Sequence, residues 1–144
     1  MKTVIILLAV MATPRIADAG CSYSTISPVS FSYNPLSTGV TDGSGYVTYK
    51  CTAGTTSITV DIDYGGRGNR TMVGSISGNT DTLAYTLFQD ATRLIAWGNT
   101  ALTHMTIIAP PTVFTQLPVY GRMAAKQDVT VDSYSDTMTV TITY

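Results

Sequence analysis

From residue 136 to residue 144 the chain alternates without a break, with Met138, Val140, Ile142 and Tyr144 on one parity and Thr137, Thr139, Thr141 and Thr143 on the other. Successive side chains of an extended strand point to opposite faces, so this segment predicts a strand with one apolar and one hydroxylated face. The threonine, valine and isoleucine that fill it are β-branched and favour that conformation over a helix. The same period of two recurs upstream in residues 26–33, 45–51, 57–64, 71–76 and 82–89, and no window of eleven or more residues carries a helical stripe. In residues 57–64, for example, Ile58, Val60, Ile62 and Tyr64 oppose Thr59, Asp61 and Asp63.

Turn signals separate these runs: Asn34-Pro35, Asp42-Gly43-Ser44-Gly45, residues 65–70, Ser77-Gly78-Asn79 and Gly98-Asn99. A short hydrophobic piece at 94–97 adds a further candidate strand, and 71–76 reads as a short edge strand. Residues 103–119 are apolar but interrupted by Pro110, Pro111 and Pro118, which predicts edge segments, because proline gives no N–H to a ladder. Strands at this spacing, in a chain of 144 residues, predict one all-β domain, an immunoglobulin-like β-sandwich. The strand at 136–144 runs to the last residue, so its apolar face and sheet edge are expected to have no successor in the chain.

The N-terminus reads as an address label. Met1-Lys2 is followed by an apolar run over residues 3–12, and Ala17-Asp18-Ala19 places small residues at the −3 and −1 positions of a cleavage site. Residues 1–19 are therefore expected to leave as a signal peptide, with Val10-Met11-Ala12 as the competing site, and 20–144 to form the exported domain. The run falls short of the roughly 20 apolar residues that span a bilayer. A lipoprotein reading of Gly20-Cys21 meets Asp18 where an aliphatic residue belongs. In an oxidising compartment the two cysteines, Cys21 and Cys51, read as one disulfide, closing a loop worth roughly 3 kcal/mol in the chain-entropy account. Neither a C-x-x-C spacing nor a βαβ pattern accompanies them, so the bridge is expected to be structural.

Catalysis and cofactor binding find little support. One histidine and two cysteines are too few for a zinc site, and a Ser/His/Asp hydrolase would rest on His104 alone. Asp61 and Asp63 read as a solvated strand face, the glycines at 65–68 as a hairpin turn lacking the Lys-Ser/Thr of a P-loop, and Gly74-Ser75-Ile76-Ser77-Gly78 puts isoleucine where a nucleophile elbow needs serine. Nine acidic residues against eight Lys+Arg, a formal charge of −1, give no basic patch for nucleic acid. Trp97, Tyr85 and Phe88 read as core, although aromatic faces also stack on sugars. Residues 106–111 read as an edge strand, or as an adhesive apolar patch if exposed. No catalytic residue, metal ligand or cofactor is assigned.

Short pieces in a fixed order carry a resemblance: Cys21, Phe31-Ser32-Tyr33-Asn34-Pro35, Cys51, Gly65-Gly66, Arg70-Thr71-Met72, Leu83-Ala84-Tyr85-Thr86-Leu87-Phe88-Gln89-Asp90, Trp97-Gly98, Val119-Tyr120-Gly121-Arg122, Gln127, Tyr134-Ser135-Asp136-Thr137, then residues 140–144. The chain resembles the spore coat protein U domain family, the subunits of archaic chaperone–usher pili. It departs from the family pattern at Ser32 and Asp132, where glycine is usual, which implies altered turns. Only Gly20 would stand before Cys21 after cleavage, where shaft subunits carry an alternating donor segment.

The resemblance implies an incomplete immunoglobulin-like sandwich, lacking its final strand and completed by a donor strand, that serves as a non-enzymatic fibre or coat subunit. Its open groove would be filled first by a strand of a periplasmic chaperone and then by the extension of a neighbouring subunit delivered at an outer-membrane usher, and strand addition of this kind works through main-chain bonds and side-chain pockets. Met138, Val140, Ile142 and Tyr144 are expected to wall that groove. A subunit that accepts a strand but donates none would sit at the fibre tip, serving attachment to a host or abiotic surface and biofilm formation. The alternative is a self-complete secreted β-sandwich that binds a ligand or coats a cell, with a segment such as 103–109 folding back as the missing strand.

Overall fold

In the computed structural model, residues 20–144 are described in full and, of the chain before them, the backbone of residues 2–5 and 7–10. The expected cleavage site after Ala19 lies outside the described residues. Among the described residues all regular structure is β: β1 Lys2–Ile5, β2 Leu7–Val10, β3 Cys21–Tyr33, β4 Thr41–Cys51, β5 Ser57–Ile62, β6 Thr71–Gly74, β7 Thr82–Phe88, β8 Met105–Ile108, β9 Thr115–Met123, β10 Tyr134–Ser135 and β11 Thr137–Thr143. They form two sheets, ordered β1-β3-β4-β9-β7-β6-β10 and β2-β11-β5-β8. Nearly every pairing is antiparallel; β2 lies parallel to β11.

The alternation read from the sequence sets the core. Val29, Phe31 and Tyr33 of β3, Val47, Tyr49 and Cys51 of β4, Ile58, Val60 and Ile62 of β5, and Leu83, Tyr85 and Leu87 of β7 are all buried. Met138 and Val140 of β11 join them, and every second residue between faces outward. Trp97 is buried with its indole N–H donating to the Val60 carbonyl at 2.9 Å, so its ring belongs to the core. Cys21 and Cys51 face each other across β3 and β4 and form the disulfide, with the sulfurs 2.06 Å apart.

Four sequence readings change. Asp42-Gly43-Ser44-Gly45 is no turn: β4 begins at Thr41 and runs through it, paired to β9 from Thr41↔Met123. The glycines are there because β3 crosses closely at a bulge between Ser27 and Ser30, and a Cβ on Gly43 or Gly45 would collide with the carbonyl oxygen of Ser30 or Ser27. Residues 94–97 form only an isolated bridge, Phe88↔Ala96, and leave Leu94 exposed. The 71–76 run is shorter, and β6 lies inside the sheet, between β7 and the two-residue β10. Pro118 stands within β9, but beyond Tyr120, the last β9 residue paired with β7, so its missing N–H interrupts no ladder on that side.

Candidate functional site

The C-terminal strand and the two sheet edges around it form the candidate site. Met138 and Val140 are buried, Ile142 is half-buried and packs against the core, and Tyr144, 39% exposed, lies beyond the end of β11. The first three of the expected groove residues therefore share one face, and Tyr144 only borders it. On one side β11 pairs with β5 over Val140↔Ile62 to Thr143↔Thr59, and the Thr139 carbonyl accepts the Asp63 N–H at 3.1 Å. N–H and C=O groups alternate between the two edges of a strand. The main-chain groups of Thr139 and Thr141 therefore serve β5, while those of Met138, Val140 and Ile142 face the opposite edge. The residues that point side chains into the core also present their backbone to an incoming strand.

That opposite edge carries a strand from far away in sequence. β2 pairs with it over Thr137↔Leu7 to Val140↔Val10, and β1, just before it, pairs with the free edge of β3 over Lys2↔Tyr33 to Ile5↔Ser30. β1 and β2 thus each lie on one free edge, one per sheet. Within residues 20–144, β11 and β3 are each the last strand of their sheet on this side. Residues 103–109, the segment that the self-complete alternative would fold back here, lie elsewhere, because β8 pairs with β5 at the far edge of the smaller sheet.

The start of β11 is held by a buried polar cluster that sequence reading missed. Asp136 is 8% exposed and accepts from the Gly66 N–H at 2.9 Å, its neighbour Thr137 N–H at 2.9 Å and the Tyr85 hydroxyl at 2.6 Å. Burial, and next the bond to Asp136, push the Tyr85 hydroxyl pKa far above its ordinary value, so it stays a donor. Gly65, at φ 81°, is required beside it, since any Cβ would strike the Asp136 carboxylate. Gln127 does a strand's work with a side chain: its amide donates to the Ala84 carbonyl at 2.9 Å and accepts the Ala84 N–H at 2.7 Å, continuing the ladder beside β7. The order of Gly65-Gly66, Tyr85, Gln127 and Asp136 in the sequence was a signal of such residues, but it carried no information on who bonds to whom.

The other singled-out positions are structural. Asp61 and Asp63 are half-buried on the face opposite the core, and His104 is half-buried with its carbonyl taking a Gln89 amide. Ser32 sits within β3 rather than in a turn, and Asp132 ties down the loop after β6. Among the described residues no group of three or more His, Cys, Asp or Glu side chains could hold a metal ion.

The sequence matches the Spore Coat Protein U domain model over residues 7–141. The chain belongs to the spore coat protein U domain family. Protein U of Myxococcus xanthus is 42% identical over 72 residues, which cover 47% of this chain and 37% of that protein. The chain thus spans little more than a third of its curated relative. Among solved structures, the pre-assembly complex of chaperone and tip adhesion subunit, CsuC–CsuE, from the archaic chaperone–usher Csu pili of Acinetobacter baumannii matches with a TM-score of 0.53 and 18% identity, over 88% of this chain and 40% of that one. At that identity the likeness concerns the fold, an immunoglobulin-like sandwich. The family match begins at Leu7, where β2 begins.

Proposed function

We propose that this spore coat protein U domain protein is a structural subunit of a chaperone–usher pilus-type fibre, polymerised by exchange of the strand beside β11. One observation carries the reading: the outer edge of β11 accepts a strand in parallel from a segment more than a hundred residues away, rather than from a neighbour in the chain. Strand addition of this kind supplies main-chain bonds over the whole contact and specificity through alternate side chains. In this reading residues 1–19 are removed on export, and Met138, Val140 and Ile142, with Tyr144 at the rim, receive first a strand of a periplasmic chaperone and then one from a neighbouring subunit at an outer-membrane usher. The protein ends at the cell surface as a non-enzymatic component. With cleavage after Ala19, Cys21 is disulfide-bonded one residue from the new N-terminus, which favours the tip end of the fibre. The exposed side chains of Leu94, Ile95 and Leu102 on one loop favour a role in attachment and biofilm formation.

A second reading has its own observation. β1 and β2, if retained, cover the free edges of both sheets from within the same chain, as a self-complete secreted sandwich requires. The test is a pull-down from the native periplasm with a small tag inserted in the exposed turn at Thr38, together with sequencing of the mature N-terminus. Equimolar recovery with a two-domain chaperone and an N-terminus at Gly20 is the expected result. A partner-free monomer that retains residues 2–10 would replace the fibre reading with the self-complete one.

A further inference from the structure

At the end of the larger sheet where β3 and β4 are joined through sulfur, the surface opens into a cavity of about 580 Å³, inside the range of small-molecule sites, roughly 300–1,000 Å³. Its lining includes Cys21, Ser22, Lys50, Thr52, Ala53 and Thr112, and among the described residues no acidic side chain lines it. Lys50 is half-buried and stands opposite Ser22 in the β3–β4 pair, and its Nζ lies 4.6 Å from the centre of the Phe114 ring. The face of an aromatic ring attracts a cation, so Phe114 holds the ammonium group in place without neutralising it. Among the described residues Lys50 forms no ion pair. Asp42, the acid of its own strand, stands at the other end of β4 and is engaged by Arg93 and Arg122.

Gly20 lines the same cavity. Its N–H donates to the Thr52 hydroxyl at 2.9 Å and its carbonyl accepts the Thr52 N–H at 2.7 Å, so both of its backbone groups are tied to the chain just after β4. The Tyr144 ring also comes near, 4.0 Å from where a Cβ on Gly20 would stand, but Tyr144 does not line the cavity. With residues 1–19 removed, as proposed above and as this inference requires, the Gly20 nitrogen becomes an α-amine, a group of ordinary pKa roughly 7.7–8.0 that is largely protonated at neutral pH. Export thereby adds a second cation to a cavity that already holds Lys50 and no carboxylate side chain. A cleft lined by one sign of charge concentrates ligands of the other.

We propose that the mature protein binds a uronic acid in this cavity, with the carboxylate between the Lys50 ammonium and the Gly20 α-ammonium, the sugar hydroxyls facing Ser22, Thr52 and Thr112, and the ring against Ala53 and Cys21. Charge-assisted hydrogen bonds to a carboxylate are the strongest polar contacts such a site can make. Hydroxyl side chains both donate and accept, which suits the polyol body of a sugar better than a bare anion. Phe114 is a positioning residue that acts through Lys50. A free sugar acid and a uronate unit of an acidic polysaccharide share this chemistry, and the second would give the attachment role a ligand.

Isothermal titration of the exported protein at physiological ionic strength, on a sample whose N-terminus is sequenced, tests it with sodium galacturonate, galactose, sodium acetate and polygalacturonate as probes. Saturable binding of galacturonate is expected, with galactose and acetate each weaker by about ten-fold or more, since a site that bonds both the charge and the hydroxyls rejects an analogue lacking either. Tighter binding of polygalacturonate per uronate unit would assign the site to a polysaccharide; binding of galacturonate but not of the polymer would assign it to a free sugar acid. Lys50→Gln should abolish binding and leave the circular dichroism spectrum unchanged. Phe114→Leu, at a position 49% exposed, should weaken binding by about three-fold or more and serves if Lys50→Gln fails to fold. Carbamoylation of the α-amine at neutral pH, which spares lysine side chains, should weaken it by about three-fold or more as well. Galactose or acetate binding as well as galacturonate, no saturable heat with either uronate, or undiminished binding in folded Lys50→Gln or in the carbamoylated protein would each overturn the proposal. With Gly20 first in the sequenced chain, such a failure leaves the export reading intact; an N-terminus elsewhere overturns that reading and the proposal with it.

Discussion

β4 and β11 have the same period-two sequence and the same buried face, yet they are held in opposite ways. β4 is covered on one edge by β3 and on the other by β9, over nine paired positions from Thr41↔Met123 to Tyr49↔Thr115, and its last residue is bonded through sulfur to the first of β3. β11 has β5 along Val140–Thr143 on one edge, and on the other a four-residue parallel contact with residues from the far end of the chain. Parallel pairing is slightly weaker per residue than antiparallel. Alternation makes a strand in both cases. Whether the strand is permanent or can exchange its neighbour depends on where that neighbour comes from.

The strongest way to break the contrast is a charge in the shared core. Val140→Asp buries a carboxylate at a position 1% exposed and should cost about 4 kcal/mol or more, so that no soluble protein reaches the periplasm. Ile142→Asp sharpens the comparison. Ile142 is half-buried, so the domain should still fold, but the charge stands at the strand-accepting edge and capture of a chaperone should be lost. Periplasmic yield and co-purification measure the two effects separately, and undiminished capture by Ile142→Asp would show that the accepting edge lies elsewhere.

Second in size is the covalent tie. Cys51→Ser removes a crosslink between residues 30 apart and should lower stability by roughly 3 kcal/mol, read as a shift of the urea midpoint. It touches the permanent side only, so strand capture per folded molecule should match the wild type. If capture fell in proportion to stability, the two edges would not be independent.

Tyr85→Phe probes the link between them. It removes the donor to Asp136 at the start of β11 and leaves a buried carboxylate oxygen unmatched, for an expected loss of about 1–3 kcal/mol. Because Asp136 directly precedes β11, amide exchange should quicken at Thr137 and Met138 and stay slow in β4. Equal acceleration in both strands would mean that Asp136 supports the whole sandwich.

What could be read from the sequence follows the same division. The alternating core of β3, β4, β5, β7 and β11 and the Cys21–Cys51 bridge were legible because period and compartment are local or compositional properties. The Asp42–Gly45 stretch was misread because glycine signals both a turn and a close crossing, and only the approach of β3 distinguishes them. Residues 94–97 were misread because an apolar run says nothing of which side it faces; Leu94 is 82% exposed. Arg70, Asp132 and Asp136 were invisible as a group, since each is buried by partners that lie far off in sequence. The candidate edge was legible through β11, whereas the segments that cover it belong to a stretch whose composition reads as a leader.

Asp132 gives the smallest effect and the one with a distinctive pH signature. It is 9% exposed, and burial alone would raise its pKa. The Ile76 N–H, the Ser75 hydroxyl, the Asn79 amide and the Ser133 N–H all donate to it and together hold the pKa well below the ordinary carboxylate value of roughly 3.9. A carboxyl whose folded pKa is depressed stabilises the fold fully above its unfolded pKa, and the contribution is lost as the pH falls through the folded one. Wild-type stability should therefore hold down to about pH 4 and decline below it. Asp132→Asn should be less stable at neutral pH, decline less steeply in acid and approach the wild type at the lowest pH. The decline should not vanish, because Asp42 and Asp90 are also held below their ordinary values, by Arg122 and by Thr92 first of all. Urea midpoints of the two proteins followed from neutral pH into acid provide the check. Two parallel curves would mean that the loop after β6 is held by shape rather than by the Asp132 charge, and would leave the acid response to the exposed carboxylates.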